Sequence, residues 1–159
     1  MTAVPSLYDT DFFTWTQEQA ALLRDGKLDA LDLANLAEEI ESLGKSDRRA
    51  LGSHLRGLVM HLLKWRYQPS GRQTGHSWRT SINNHRREIA AIVDDSPSLR
   101  RQIPAHLARE YPRSRSDASD DTGLSLATFP ASCPWTVEHI LDEDFWPDAP
   151  PERETDTAT

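Results

Sequence analysis

The sequence predicts an all-α protein: a helical bundle built around one long central helix, with an irregular C-terminal segment and a short final helix. Three observations carry this. Apolar residues recur at helical spacing through most of the chain, strand-like alternation never extends beyond a few residues, and glycine and proline stand at a few boundaries between periodic stretches. At 159 residues with 37% hydrophobic side chains and five tryptophans, the chain has enough apolar mass to bury one core. We expect a lead-in over 1–7, a single helical domain over 8–147 and a disordered tail over 148–159, where Pro, Glu, Asp and Thr offer nothing to bury.

The first helix is expected over 11–25. Asp9 or Asp11 can accept from unpaired N–H groups at its start, Phe12, Trp15, Gln19 and Leu22 keep the spacing, and Gly26 stops it. The second is the central one, over 32–67. On a wheel of about 100° per residue, Leu33, Leu36, Ile40, Leu43, Leu51, Leu55, Leu58, Leu62 and Trp65 share an arc of roughly 120°. That phase passes unbroken through Gly44-Lys45-Ser46, which favours one helix over two separated at Gly44 with Ser46 as a new cap. Turn formers Pro69, Ser70, Gly71 and Gly75 follow, then a third helix over 76–94. A fourth starts at Ser96-Pro97 and is expected to kink or split at Pro104 and Pro112 before a left-handed cap at Gly123. Residues 124–133 read as an irregular crossing pinned by Phe129, and Pro134 opens the short fifth helix.

A single cysteine, Cys133, excludes an internal disulfide framework, and the N-terminal residues lack a basic start and an apolar run. No stretch approaches 18 apolar residues. The expectation is a cytoplasmic protein that does not cross a membrane. Charge is segregated: residues 1–44 carry −7, residues 45–115 carry +10 and residues 116–159 carry −10. Either the acidic ends screen the basic middle, or the middle binds anions.

The basic and aromatic residues Lys64, Trp65, Arg72, Ser77, Trp78, Arg79 and Arg86 form the candidate anion or ligand site. Aromatic faces beside cations suit stacking and phosphate contact, and a helix start near Ser77 adds free N–H groups. Core packing of Trp65 and Trp78, with the cations surface-exposed or salt-bridged, is the plainer reading of the same residues. Other chemistry finds less support. His54 and His61 stand two turns apart on one helix, too far to share a metal without His76, His85 or His106. Glu41 is followed at the third position by Gly44, so the Glu-x-x-His pattern of di-iron bundles is missing. Glycine-rich phosphate loops, nucleophile elbows and paired cysteines are absent. No catalytic residue, metal or cofactor is predicted.

Several strings read together in order: Tyr8-Asp9 with Phe12 and Trp15, Asn35-Leu-Ala-Glu-Glu-Ile-Glu41, His61-Leu-Leu-Lys-Trp65, Gln68-Pro69, Ser77-Trp78, Ser96-Pro-Ser-Leu99, Thr122-Gly-Leu124, Phe129-Pro130 and Cys133-Pro-Trp135. In these the chain resembles the bacterial family labelled domain of unknown function twenty-nine, over about residues 7–147. The resemblance implies a small all-helical protein and carries over no catalytic assignment. Tyr111-Pro-Arg-Ser-Arg departs from the family's usual alanine-containing helix. Together these observations favour a non-enzymatic protein-interaction or regulatory module, with a protein partner or a homodimer. The alternatives are a nucleic-acid or anionic-ligand binder using residues 64–86, and an enzyme with a composite His or metal site.

Overall fold

A computed structural model describes residues 6–74 and 76–148, which form helices, 3-10 turns and connecting loops without a strand. Of the tail expected over 148–159, Asp148 is described and residues 149–159 lie outside the described residues, as do the first five residues, residue 75 and the side chains of Gln73, Thr74 and His76. The chain divides into two compact units, Met1–Ser46 and Asp47–Thr159, with the boundary inside the long central helix.

The first unit begins with a four-residue helix, α1 (Leu7–Thr10), ahead of the first helix expected over 11–25. Helix α2 (Phe12–Arg24) follows, capped as its sequence predicts: Asp11 accepts from the Thr14 N–H at 3.0 Å and from its hydroxyl at 2.7 Å. These bonds hold the Asp11 carboxyl below its usual range. Gly26, at a φ of +69°, takes the left-handed conformation that ends α2. A 3-10 turn (Leu28–Ala30) leads to helix α3 (Leu33–Tyr67). Asp32 ties the unit together: it accepts from the Trp15 indole at 3.1 Å and from the Asn35 side chain at 2.8 Å, while its own N–H donates to Gln19. Tyr8 donates to Glu39, and its ring meets Phe12 and Trp15 edge-on. Trp15 and Gln19 are the buried side chains here.

Helix α3 runs through Gly44 without a break, as the single phase of its apolar stripe predicts. Its C-terminal half is the spine of the second unit. Leu51, Leu55, Leu58, Val59, Leu62 and Leu63 are buried there against Ile82, Ile89 and Val93 of α5 (His76–Asp95) and Ile103, Leu107 and Tyr111 of α6 (Ile103–Thr122). The short α4 (Gly71–Thr74) joins α3 to α5. Between α5 and α6 lies a 3-10 segment (Pro97–Gln102), so the expected fourth helix is split at its start. Pro104 falls in the first turn of α6, where its missing N–H is harmless. Pro112, by contrast, sits inside α6, which continues past it to the left-handed cap at Gly123, φ +72°. Helix α6 is held here from the side: the Ser114 hydroxyl, fully buried, donates to the Arg56 carbonyl of α3 at 2.8 Å, and the Tyr111 hydroxyl donates to the Pro130 carbonyl at 2.5 Å.

The final helix, α7 (Val137–Leu141), begins three residues later than Pro134 suggested, because Thr136 is the residue whose side chain caps it, accepting from the His139 N–H. No helix among the described residues is long and apolar enough to cross a membrane.

Candidate functional site

The cations and aromatic rings singled out in the sequence do converge, and the chain's own C-terminal segment fills the space between them. Trp146 packs against Trp65 with ring centroids 4.7 Å apart, and the Arg79 and Arg86 guanidiniums lie 4.8 and 5.5 Å from its ring centre. Arg72 donates to the Trp65 carbonyl at 2.6 Å and reaches Asp148 at 3.3 Å, while the Trp65 indole donates to the same carboxylate at 2.9 Å. Arg86, 2% exposed, donates to the Ile140 carbonyl and to the Phe145 carbonyl, each at 2.9 Å. Burial pulls its guanidinium pKa down, opposed by Asp142 and Glu143. Lys64, also buried, sits between the Asp121 carboxylate at 2.8 Å and the Trp78 ring, 4.8 Å from its centre. Ser77 is exposed in the first turn of α5.

The acidic C-terminal stretch therefore meets the basic middle within the second unit. A two-pronged pair, Arg56 to Asp117 at 2.6 and 2.9 Å, extends the same pattern along α3 and α6.

Three histidines line up beside this cluster. His54 and His85 face each other through their Nδ1 atoms at 3.0 Å, and the His61 ring lies 6.0 Å from that of His85. Gly57 makes room for the arrangement, since a β-carbon there would come within 2.6 Å of His85 Nε2. No group of three or more His, Cys, Asp or Glu among the described residues has metal-holding geometry. Burial, with help from Lys64 and His85, pushes His61 down to about 4, and burial lowers His85 as well. A depressed histidine pKa means that the unfolded chain binds the extra proton between about pH 6.5 and 4. Stability is then complete above pH 6.5 and falls as pH drops through that window. His61→Gln should flatten this loss between pH 6.5 and 5, measured as the urea midpoint against pH.

Two further features escaped the sequence reading. An apolar cleft of about 490 Å³ is lined by Leu107, Tyr111, Cys133, Trp135 and Val137, among others. The Cys133 thiol in it contacts the Trp135 carbonyl at 3.5 Å, and burial raises its pKa, which keeps it protonated. The other is an apolar face on the first unit. Among the described residues, the exposed large apolar side chains are Phe12, Phe13, Leu23, Leu28, Leu33, Ile40, Leu43 and Leu126, and only Leu126 lies outside that unit. Leu33, Ile40 and Leu43 continue the α3 stripe that is buried from Leu51 onward, yet stand 68%, 67% and 68% exposed. The signal available in the sequence was the acidic charge around this half of the helix.

Over residues 7–146 the chain matches the model of a family described as domain of unknown function DUF29. The chain belongs to that family. No curated protein and no solved structure matches it. The DUF29 match runs from the first residue of α1 to Trp146, and so takes in the apolar face, the histidines and the clasped cluster except Asp148.

Proposed function

We propose that this DUF29 chain is a non-enzymatic protein-contact module that uses the exposed apolar face on the N-terminal half of α3. One observation carries the reading: Leu33, Ile40 and Leu43, spaced by seven and three residues along one helix face, form a seam that stands exposed among the described residues, in a unit whose buried side chains are Trp15 and Gln19. Helix-in-groove and helix-to-helix recognition use such seams.

The flanks of the seam select the occupant. Asp32 and Glu39 border it, with Glu38 and Glu41 on the same stretch of helix, and residues 1–44 carry two basic against nine acidic side chains. A second copy would bring the same acidic flanks face to face and be repelled. The partner is therefore an amphipathic helix of another protein, with an apolar stripe bordered by Lys or Arg. The basic cluster at 64–86 supports an anion-binding reading less, because Lys64, Arg72 and Arg86 are taken up by the chain's own carboxylates and carbonyls.

The test is a titration of the full chain with a synthetic helix carrying leucine at the seam positions and lysine on the flanks. We expect saturable binding that Ile40→Ala with Leu43→Ala weakens by about tenfold or more, since the two side chains remove roughly 1.5 kcal/mol or more of burial. A glutamate-flanked analogue and a sequence-scrambled lysine peptide should not bind. Equal binding by the double variant or by the scrambled peptide would overturn the reading.

A further inference from the structure

In the second unit Arg56, Lys64, Arg72, Arg86, Arg113 and Arg115 bond the chain's own carboxylates or carbonyls, and beside α6 a notch gathers two further arginines with one shared carboxylate between them. Arg48 on α3, Gln102 just before α6, and His106 and Arg109 in its first two turns line a notch of about 340 Å³. The Arg48 side chain makes no hydrogen bond or ion pair among the described residues. Arg109 places Nη2 3.0 Å from His106 Nδ1 and Nε 3.4 Å from Glu110. The Glu110 carboxylate is shared, because Arg113 also reaches it, at 3.2 and 3.3 Å. One carboxylate thus answers two guanidiniums, and Arg48 has none.

The hydrogen bonding also fixes the state of the histidine. A guanidinium can only donate, so His106 Nδ1 accepts, and the neutral ring keeps its proton on Nε2 as a donor. His106 is 4% exposed. Burial lowers its pKa, Arg109 and Arg48 lower it further, and Glu110 alone opposes them. Gln102 is the residue before α6, and its side chain makes no capping bond, which leaves its amide available. The first turn of this 20-residue helix adds the positive end of its dipole.

From this convergence we propose that the notch binds a small phosphate-type oxyanion, gripped by Arg48 and Arg109, with the Gln102 amide and the His106 ring as neutral donors. The site is separate from the clasped cluster at 64–86 and does not depend on the apolar seam. Its volume is about ten times a water molecule's share of the liquid, so it takes a phosphate with a small organic remainder. A polymer backbone would engage a longer track of charge.

The experiment is a titration of the full chain with inorganic phosphate at constant ionic strength, balanced with sodium chloride and followed through the His106 ring signals by NMR. We expect a saturable shift with a dissociation constant of about 1 mM or below. His106 should also titrate at higher pH with phosphate bound, because the anion offsets the two arginines that depress it. Arg48→Gln and Arg109→Gln should each weaken binding by about tenfold, the size of a lost charge-assisted hydrogen bond. Arg87→Gln, on the exposed face of α5, should leave it unchanged. A shift that never saturates, an equal response to chloride, or unaltered binding by both notch variants would overturn the proposal. So would binding of a single-stranded oligonucleotide by a chain that ignores inorganic phosphate.

Discussion

Replacing Phe129 with alanine is expected to remove about 3–5 kcal/mol of folding free energy, the usual cost of deleting a fully buried aromatic ring. Phe129 is 1% exposed and lies in a stretch whose only regular structure is a 3-10 turn (Leu126–Thr128). Its ring meets Tyr67, at the end of α3, edge-on with centroids 5.5 Å apart. Two successive carbonyls tie the backbone to α6: that of Phe129 accepts from Arg115 Nε at 3.1 Å, and that of Pro130 accepts from the Tyr111 hydroxyl. The segment has few interactions of its own, so the ring is what fixes its course across α3 and α6. Urea unfolding monitored by circular dichroism measures the cost. A loss below about 1 kcal/mol would show that the crossing is held by those hydrogen bonds and not by the ring.

Arg86→Ala is expected to cost about 2–4 kcal/mol, because two carbonyls that now accept from a guanidinium would lose their donor. Those carbonyls belong to Ile140, in α7, and Phe145, one residue before Trp146. The same guanidinium lies 5.5 Å from the Trp146 ring centre, so its loss also removes a cation–π contact. The expected structural consequence is local. Residues 142–148 should lose protection from limited proteolysis and hydrogen exchange before α3, α5 and α6 unfold. If unfolding stays fully cooperative and cleavage of that segment is no faster than in the parent, Arg86 is not its anchor.

Helix positions were legible in the sequence wherever a periodic stretch ended on residues with a defined conformational role. Asp11 and Gly123 both do the capping their types predict, and the unbroken phase at Gly44 correctly implied one helix. Periodicity does not reveal what covers a stripe. Leu43 and Leu51 share one face of α3, yet one is 68% exposed and the other fully buried. The 64–86 cluster was legible as a set, since its members lie close together in sequence, on α3, α4 and α5. Its filling was not, because Trp146 and Asp148 arrive from a distant part of the chain that reads as a terminus. The notch was hidden for a related reason: Arg48 and Arg109 belong to separate helices and become neighbours only when α3 and α6 pack. Pro134 misled because proline suits a first helical turn in general, whereas Thr136 supplies the bond that starts α7.

The central claim is that the seam on the first half of α3 is a free face that awaits a basic helix. The most direct measurement is the unfolding free energy of the Ile40→Ala, Leu43→Ala double variant, taken at several protein concentrations. At exposed positions of a helix, alanine should change stability by no more than about 0.5 kcal/mol per site, with no dependence on concentration. A loss of about 2 kcal/mol or more per site would mean that these side chains are core. A loss that appears only at high concentration would instead mean that a second copy already covers the seam, and either result would contradict the account.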